Sequence, residues 1–136
     1  MKNDVIAQKF DSIKNCLKNI KDAYPASRAE FLRSHIIQNS IVLDLQRAVQ
    51  CSIDIGSHIV RIKKLSLPTD FKDIFEALYQ NKLITKKTKE QMIKMVGFRN
   101  IAVHEYKKLD LNIIISIVEN HLVDFENYMT EIFNAL

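Results

Sequence analysis

The chain has 136 residues, 47% of them apolar and 26% charged, and a formal net charge of +4 at pH 7, a composition that suits a globular domain and excludes a disordered one. No stretch approaches the ~20 consecutive apolar residues of a membrane span, and no apolar signal core follows the first residues, so a cytoplasmic protein with no membrane partner is expected. Cys16 and Cys51 stand far apart in apolar helical surroundings without a metal-like neighbour, the pattern of reduced core thiols.

The two prolines, Pro25 and Pro68, fall between periodic segments, whereas the two glycines, Gly56 and Gly97, fall inside helical ones, where close packing is expected. A first helix from about Asn3 to Tyr24 is predicted by Ile6, Phe10, Ile13, Leu17, Ile20 and Tyr24, which alternate by four and three. Ser27-Arg28-Ala29-Glu30 fits a capping box and opens a second helix that meets no breaker except Gly56 before about Leu65. At ~1.5 Å per residue it would be about 58 Å long, so a kink or break is expected along it. Thr69 or Asp70 opens a third helix ending near Gln80, and Thr85 or Thr88 caps a fourth. From Asp110 onward, Leu111, Ile115, Val118, Leu122, Phe125, Met129, Ile132 and Leu136 form one core-facing stripe of a last helix. Ile113, Ile114 and Ile117 widen that stripe, as a dimer surface would. No period-2 segment suggests a sheet. Residues 1–136 therefore read as a single all-α domain, an up-and-down bundle of about five helices with a long second one.

Lysines bunch at Lys63-Lys64, at Lys86, Lys87 and Lys89, and at Lys107-Lys108. Each cluster alone suits a solvated helix face or loop, and the excess of cations is compatible with a polyanionic partner. Lys107 and Lys108 stand out because they follow the most informative segment of the chain, Arg99-Asn100-Ile101-Ala102-Val103-His104-Glu105-Tyr106. It sets a permanent cation, an imidazole and a phenol at fixed separations in the pattern R-x4-H-x-Y.

In that pattern the chain resembles the HEPN superfamily, and within it the HepT-like ribonuclease toxins; the small all-helical chain with a long second helix and the motif late in the penultimate one extends the resemblance along nearly its whole length. The resemblance implies a HEPN-like bundle, dimerisation about a two-fold axis with the motif at the interface, and endoribonuclease activity in a toxin-antitoxin system. RNA cleavage without a metal needs a base for the 2′-hydroxyl proton, an acid for the leaving oxygen and a cation for the charged transition state. His104 supplies base or acid and Arg99 a bidentate fork for phosphate. Asn100 and Tyr106 are expected to support them, and Lys107 and Lys108 to bind RNA. The sequence has no H-E-x-x-H and no clustered Cys/His ligands, so no metal site is expected.

Helical geometry limits one copy of the motif. At ~100° per residue Arg99 and His104 project about 140° apart, while Asn100 and His104 share a face and Arg99 and Tyr106 nearly share another. A single helix then builds half a site, and a second copy is expected to complete it. On the second helix, Asp54 with His58, and Asp44 with Arg47, sit at helical-neighbour spacing. Asp54 and His58 are either accessory to the cleft or simply an intrahelical pair; His35 and His121 carry no motif.

The resemblance further implies that Tyr106 accepts AMP groups from a cognate MNT-type nucleotidyltransferase antitoxin, which would fill the cleft and cancel its positive charge. ATP would be the partner's cofactor; this chain has neither a nucleotidyltransferase Gly-Ser and Asp-x-Asp pattern nor a Gly-rich phosphate loop. Two other readings are a non-catalytic helical subunit that binds nucleotide or RNA beside a nucleotidyltransferase, and a purely structural helical dimer.

Overall fold

A computed structural model describes residues 4–136, in which α-helices follow one another without a strand among the described residues. They are α1 (Asp4–Ala23), α2 (Arg28–Arg33), α3 (His35–Ile62), α4 (Phe71–Gln80), α5 (Lys86–His104), α6 (Leu111–Ser116) and α7 (Leu122–Ala135). A 3-10 turn at Tyr106–Lys108 follows α5, and a π-helical turn at Ile117–His121 joins α6 to α7. All five expected segments are helical, and two of them are interrupted. The expected start of the first helix, Asn3, lies outside the described residues.

The break in the long second helix falls at Ser34, whose extended backbone (φ −114°, ψ 104°) separates α2 from α3. Ser34 serves both sides. Its amide donates to the Phe31 carbonyl, and its hydroxyl accepts from the Ile37 amide at 3.2 Å. Gln38 then reaches back to donate from its side-chain nitrogen to the carbonyls of Phe31 at 2.9 Å and Leu32 at 3.2 Å, satisfying acceptors that the helix end leaves open. The other caps follow the sequence: Ser27, Asp70, Thr85 and Asp110 each accept an amide of the first turn they open. Thr85 and Thr88 are also tied to Glu131 of α7, which accepts from the Thr85 amide at 2.7 Å and the Thr88 hydroxyl at 2.5 Å.

The π turn inserts extra backbone into the last helix and so rotates the faces on either side of it. Ile114, Ile115 and Ile117 are buried before or within it, and Leu122, Phe125, Met129 and Ile132 after it. Asp124 and Tyr128 come inward as well, which the stripe did not anticipate. The Tyr128 hydroxyl donates to the Ser52 carbonyl at 2.9 Å, and its ring meets Phe75 edge-on at 5.6 Å. Ile113 is 49% exposed and Leu136 43%, so these two ends of the stripe stay at the surface of the single chain.

Buried side chains from α1, α3, α4, α5 and α7 form one continuous core. Gly56 of α3 is packed as its position predicts. A Cβ there would stand 2.5 Å from Ile74 Cγ2 and 3.3 Å from Leu78 Cδ1, so the absence of a side chain lets α4 close on α3. Gly97 is different: a Cβ would meet nothing within 4 Å, and the expectation of close packing fails there. Both cysteines are free; Cys16 is buried, and Cys51 is half-buried. Burial and the neighbouring Asp44 carboxylate push the Cys16 thiol up to about 11. Asp44 thus serves the seam between α1 and α3, facing the Cys16 thiol. The start of α2 is tied to the π turn by Glu119, which accepts from Tyr24 at 2.6 Å and from both ends of the Arg28 guanidinium at 2.9 and 2.5 Å. These donors hold the Glu119 carboxyl down at about 2.

Candidate active site

The motif occupies the C-terminal end of α5 and the turn beyond it. Arg99 is half-buried, with its guanidinium carbon 5.2 Å from the centre of the Phe71 ring and Nη1 donating to Asn100 Oδ1 at 3.2 Å. Its Nε is buried with no hydrogen-bond partner. The aromatic face holds the guanidinium in place, and a guanidinium can offer a bidentate fork to phosphate. Phe71, the first residue of α4, was not marked by any motif; it meets Arg99 only because α4 lies across α5.

His104 is the last residue of α5 and is exposed, with no hydrogen bond or ion pair among the described residues. Asn100 lies one turn before it on the same face. The helix does not carry on through Tyr106. Glu105 leaves the helical region (φ −139°, ψ 46°), its amide donating to Ile101, and the chain tightens into the 3-10 turn. The expectation that Arg99 and Tyr106 nearly share a face of one helix is therefore corrected. Tyr106 instead swings toward α3, where its hydroxyl donates to Asn39 Oδ1, and it keeps 47% of its surface exposed. Asn39 is the residue that sequence reasoning missed: 67 positions away in the chain, it carries no local signal.

The accessory candidates divide. Asp54 accepts from Lys9 of α1 at 3.1 Å and from Gln50 at 2.9 Å; neither of these partners is His58, so the expected pairing of Asp54 with His58 does not form. The ion pair that raises the Lys9 ammonium, mainly through its hydrogen bond to Asp54, runs between helices instead of within one. His58 is half-buried, and its Nε2 is enclosed without a partner. Lys107 is exposed; Lys108 lies 3.5 Å from Glu105, a solvent-facing pair that leaves its charge accessible. No three His, Cys, Asp or Glu side chains gather in a metal-like cluster among the described residues. No helix among them is long and apolar enough to cross a membrane.

The family model of the ribonuclease HepT-like proteins matches residues 13–132. The chain belongs to this family. It is 42% identical over 127 residues to the mRNA nuclease HepT of Shewanella oneidensis, covering 93% of this chain and 95% of that one. Among solved structures it superposes at a TM-score of 0.92, with 41% identity over 97% of its length and 98% of the other chain, on a tri-AMPylated Shewanella oneidensis HEPN toxin in complex with its MNT antitoxin. A toxin-antitoxin structure with AMP-PNP matches at a TM-score of 0.93 and 40% identity, covering 97% of this chain and 99% of that one. The family relationship expected from the R-x4-H-x-Y segment and the all-helical architecture expected from the periodic segments are thus both found.

Proposed function

We propose that this chain is the toxin of a toxin-antitoxin pair and cleaves RNA without a metal, through Arg99 and His104, with Asn100 and Tyr106 supporting them. The observation that carries the reading is the free His104 imidazole at the end of α5, on a chain 42% identical to an mRNA nuclease. In the proposed reaction, the 2′-oxygen attacks phosphorus as its proton passes to a base, a cyclic phosphate forms, and the 5′-oxygen leaves with a proton from an acid. The Arg99 guanidinium, with Nε unfilled, would neutralise the transition-state charge.

One chain offers one imidazole on an open surface. A second copy related by a two-fold axis would supply the other proton-transfer group and a second cation, and the exposed apolar residues of α3, Ile36 and Leu43, support such an interface. A strictly monomeric protein by light scattering at micromolar concentration would overturn this part of the proposal.

Tyr106 is proposed as the acceptor of AMP from a nucleotidyltransferase antitoxin using ATP. Its exposed position outside the helix gives a transferase access, and the tri-AMPylated state of the Shewanella HEPN toxin supports the assignment. Phosphates placed there would take up Arg99 and mask Lys107 and Lys108. The cytoplasm, where RNA and ATP are present, is the proposed compartment, and residues 1–136 the proposed single domain.

The test is cleavage of mixed cellular RNA in excess EDTA, beside a folded His104→Ala control. Cutting that persists in EDTA and disappears in the control is expected. Absence of cutting by unmodified protein, with intact mass excluding AMP on Tyr106, would favour the non-catalytic binding subunit.

A further inference from the structure

Gly97 has no structural reason to be glycine. It lies inside α5, where glycine is among the poorest helix formers, and open space surrounds the position a Cβ would take. Its effect is to floor a groove of about 480 Å³ between α5 and the α6–α7 segment, with Ile101 and Ile113 on its walls. Ile101 is 38% exposed and Ile113 49%. The groove lies on the same face of α5 as His104: Gly97 and His104 are seven residues apart, and Ile101 lies between them at helical spacing, whereas Arg99 projects toward Phe71 of α4. At ~1.5 Å per residue the groove floor is about 10 Å along the helix from His104.

Polar groups in this groove look for a ligand. Gln91 lines the groove, although its side-chain oxygen is enclosed without a hydrogen-bond partner. His121 is held by the buried Asp124 carboxylate, Nδ1 to Oδ2 at 2.9 Å, which leaves Nε2 as the ring nitrogen available to a ligand. His121 ends the π turn. Cations continue the groove away from His104: Lys94 lines it, and Lys86 and Lys87 line the depression that adjoins it through Gln91, with Glu90 the acid among them. None of these three lysines is paired with a carboxylate among the described residues. By contrast, Lys89 is tied to Glu76 at 3.2 Å and lies over the Tyr79 ring, so it is removed from the track.

A cationic track leading to a largely apolar slot with a free imidazole nitrogen matches the chemistry of single-stranded nucleic acid, whose phosphates follow the cations while an unstacked base enters the slot. We propose that the Gly97 groove is a nucleobase pocket for a nucleotide beside the scissile phosphate, with Lys94, Lys87 and Lys86 following the RNA backbone away from His104. Gly97 leaves room for the flat face of the base, Ile101 and Ile113 cover it, and Nε2 of His121 reads its edge. The proposal rests on the ribonuclease reading and adds to it the element that selects where RNA is cut.

The test uses the full chain and a fluorescein-labelled, mixed-sequence single-stranded oligoribonucleotide. Binding is measured by anisotropy for His104→Ala protein, in which the RNA stays intact, with and without Gly97→Leu. A leucine at this position fills the groove, and its Cβ meets nothing in the fold. At least a tenfold weaker affinity is expected, together with altered cut positions and a raised KM when Gly97→Leu is placed in the active protein. Photocrosslinks from 4-thiouridine in the same RNA are expected within 91–101 and 113–121. Cleavage by the parent protein at the same positions and with the same KM as by Gly97→Leu would overturn the pocket while leaving the nuclease intact. A Gly97→Leu protein that keeps RNA affinity but loses self-association or antitoxin binding would assign the groove to a protein partner and overturn it too. Failure of the parent protein to cut or bind RNA would remove both readings together.

Discussion

The two glycines stand for two regions built to different ends. Around Gly56 the helices α3, α4 and α7 close until a single added carbon would collide with Ile74, and Tyr128 finds its one partner in the Ser52 carbonyl. Around Gly97 and His104 the surface is open: a Cβ at Gly97 would meet nothing within 4 Å, and the exposed His104 imidazole has no partner among the described residues. The first region is closed within one chain, with its glycine packed against α4 and its buried tyrosine hydroxyl paired. The second is open, and on the proposed reading an RNA phosphate, a base and a second copy's imidazole would complete it.

The comparison breaks most sharply at His104. His104→Ala is expected to reduce RNA cleavage by about 100- to 10,000-fold, the usual worth of a positioned acid or base, with an unchanged urea midpoint; a comparable drop in stability would place the histidine in the packed region instead. On the other side, Phe75→Ala should lower unfolding stability by about 3–5 kcal/mol in urea titrations, as removal of a buried aromatic ring does.

The glycines themselves give the most direct contrast. Gly56→Ala is expected to destabilise by about 1–3 kcal/mol through overpacking, whereas Gly97→Ala should stabilise by up to about 1 kcal/mol through helix propensity alone. Opposite signs in paired denaturation curves would uphold the division, and the same sign would dissolve it.

The smallest effect concerns the Glu119 clamp, an exposed tie between the π turn and the α1–α2 junction. Its folded carboxyl lies near 2, below the ordinary value of 4.5, so its contribution is present above pH 4.5 and is lost as pH falls toward 2. The difference in melting temperature between the parent protein and Glu119→Gln should therefore be fully present at pH 6 and should shrink through that window. A difference that does not change with pH would show that the carboxylate charge plays no part.

Much of the fold could be read directly because its causes are local. Ser27, Asp70, Thr85 and Asp110 cap helices by hydrogen bonds that span three residues or fewer, and the spacing of Ile6, Ile13, Leu17 and Ile20 makes a buried stripe regardless of what packs on it. The break at Ser34 was foreshadowed only by length. Its position depends on Gln38 turning back to cap the preceding helix, a choice between two competing sets of hydrogen bonds. Asp54 illustrates the opposite failure: spacing offered His58, but Lys9 of another helix lies nearer.

By itself the sequence determined the helical segments, their caps and the identity of the R-x4-H-x-Y residues, since periodicity, capping and a short motif are properties of neighbours along the chain. Only the tertiary structure decided that Tyr106 leaves the helix to reach Asn39, that Phe71 lies on Arg99, and that one glycine is buried and the other bare. Those outcomes depend on which helix face meets which across tens of residues. The summed packing of the core fixes that relation, and no local segment encodes it.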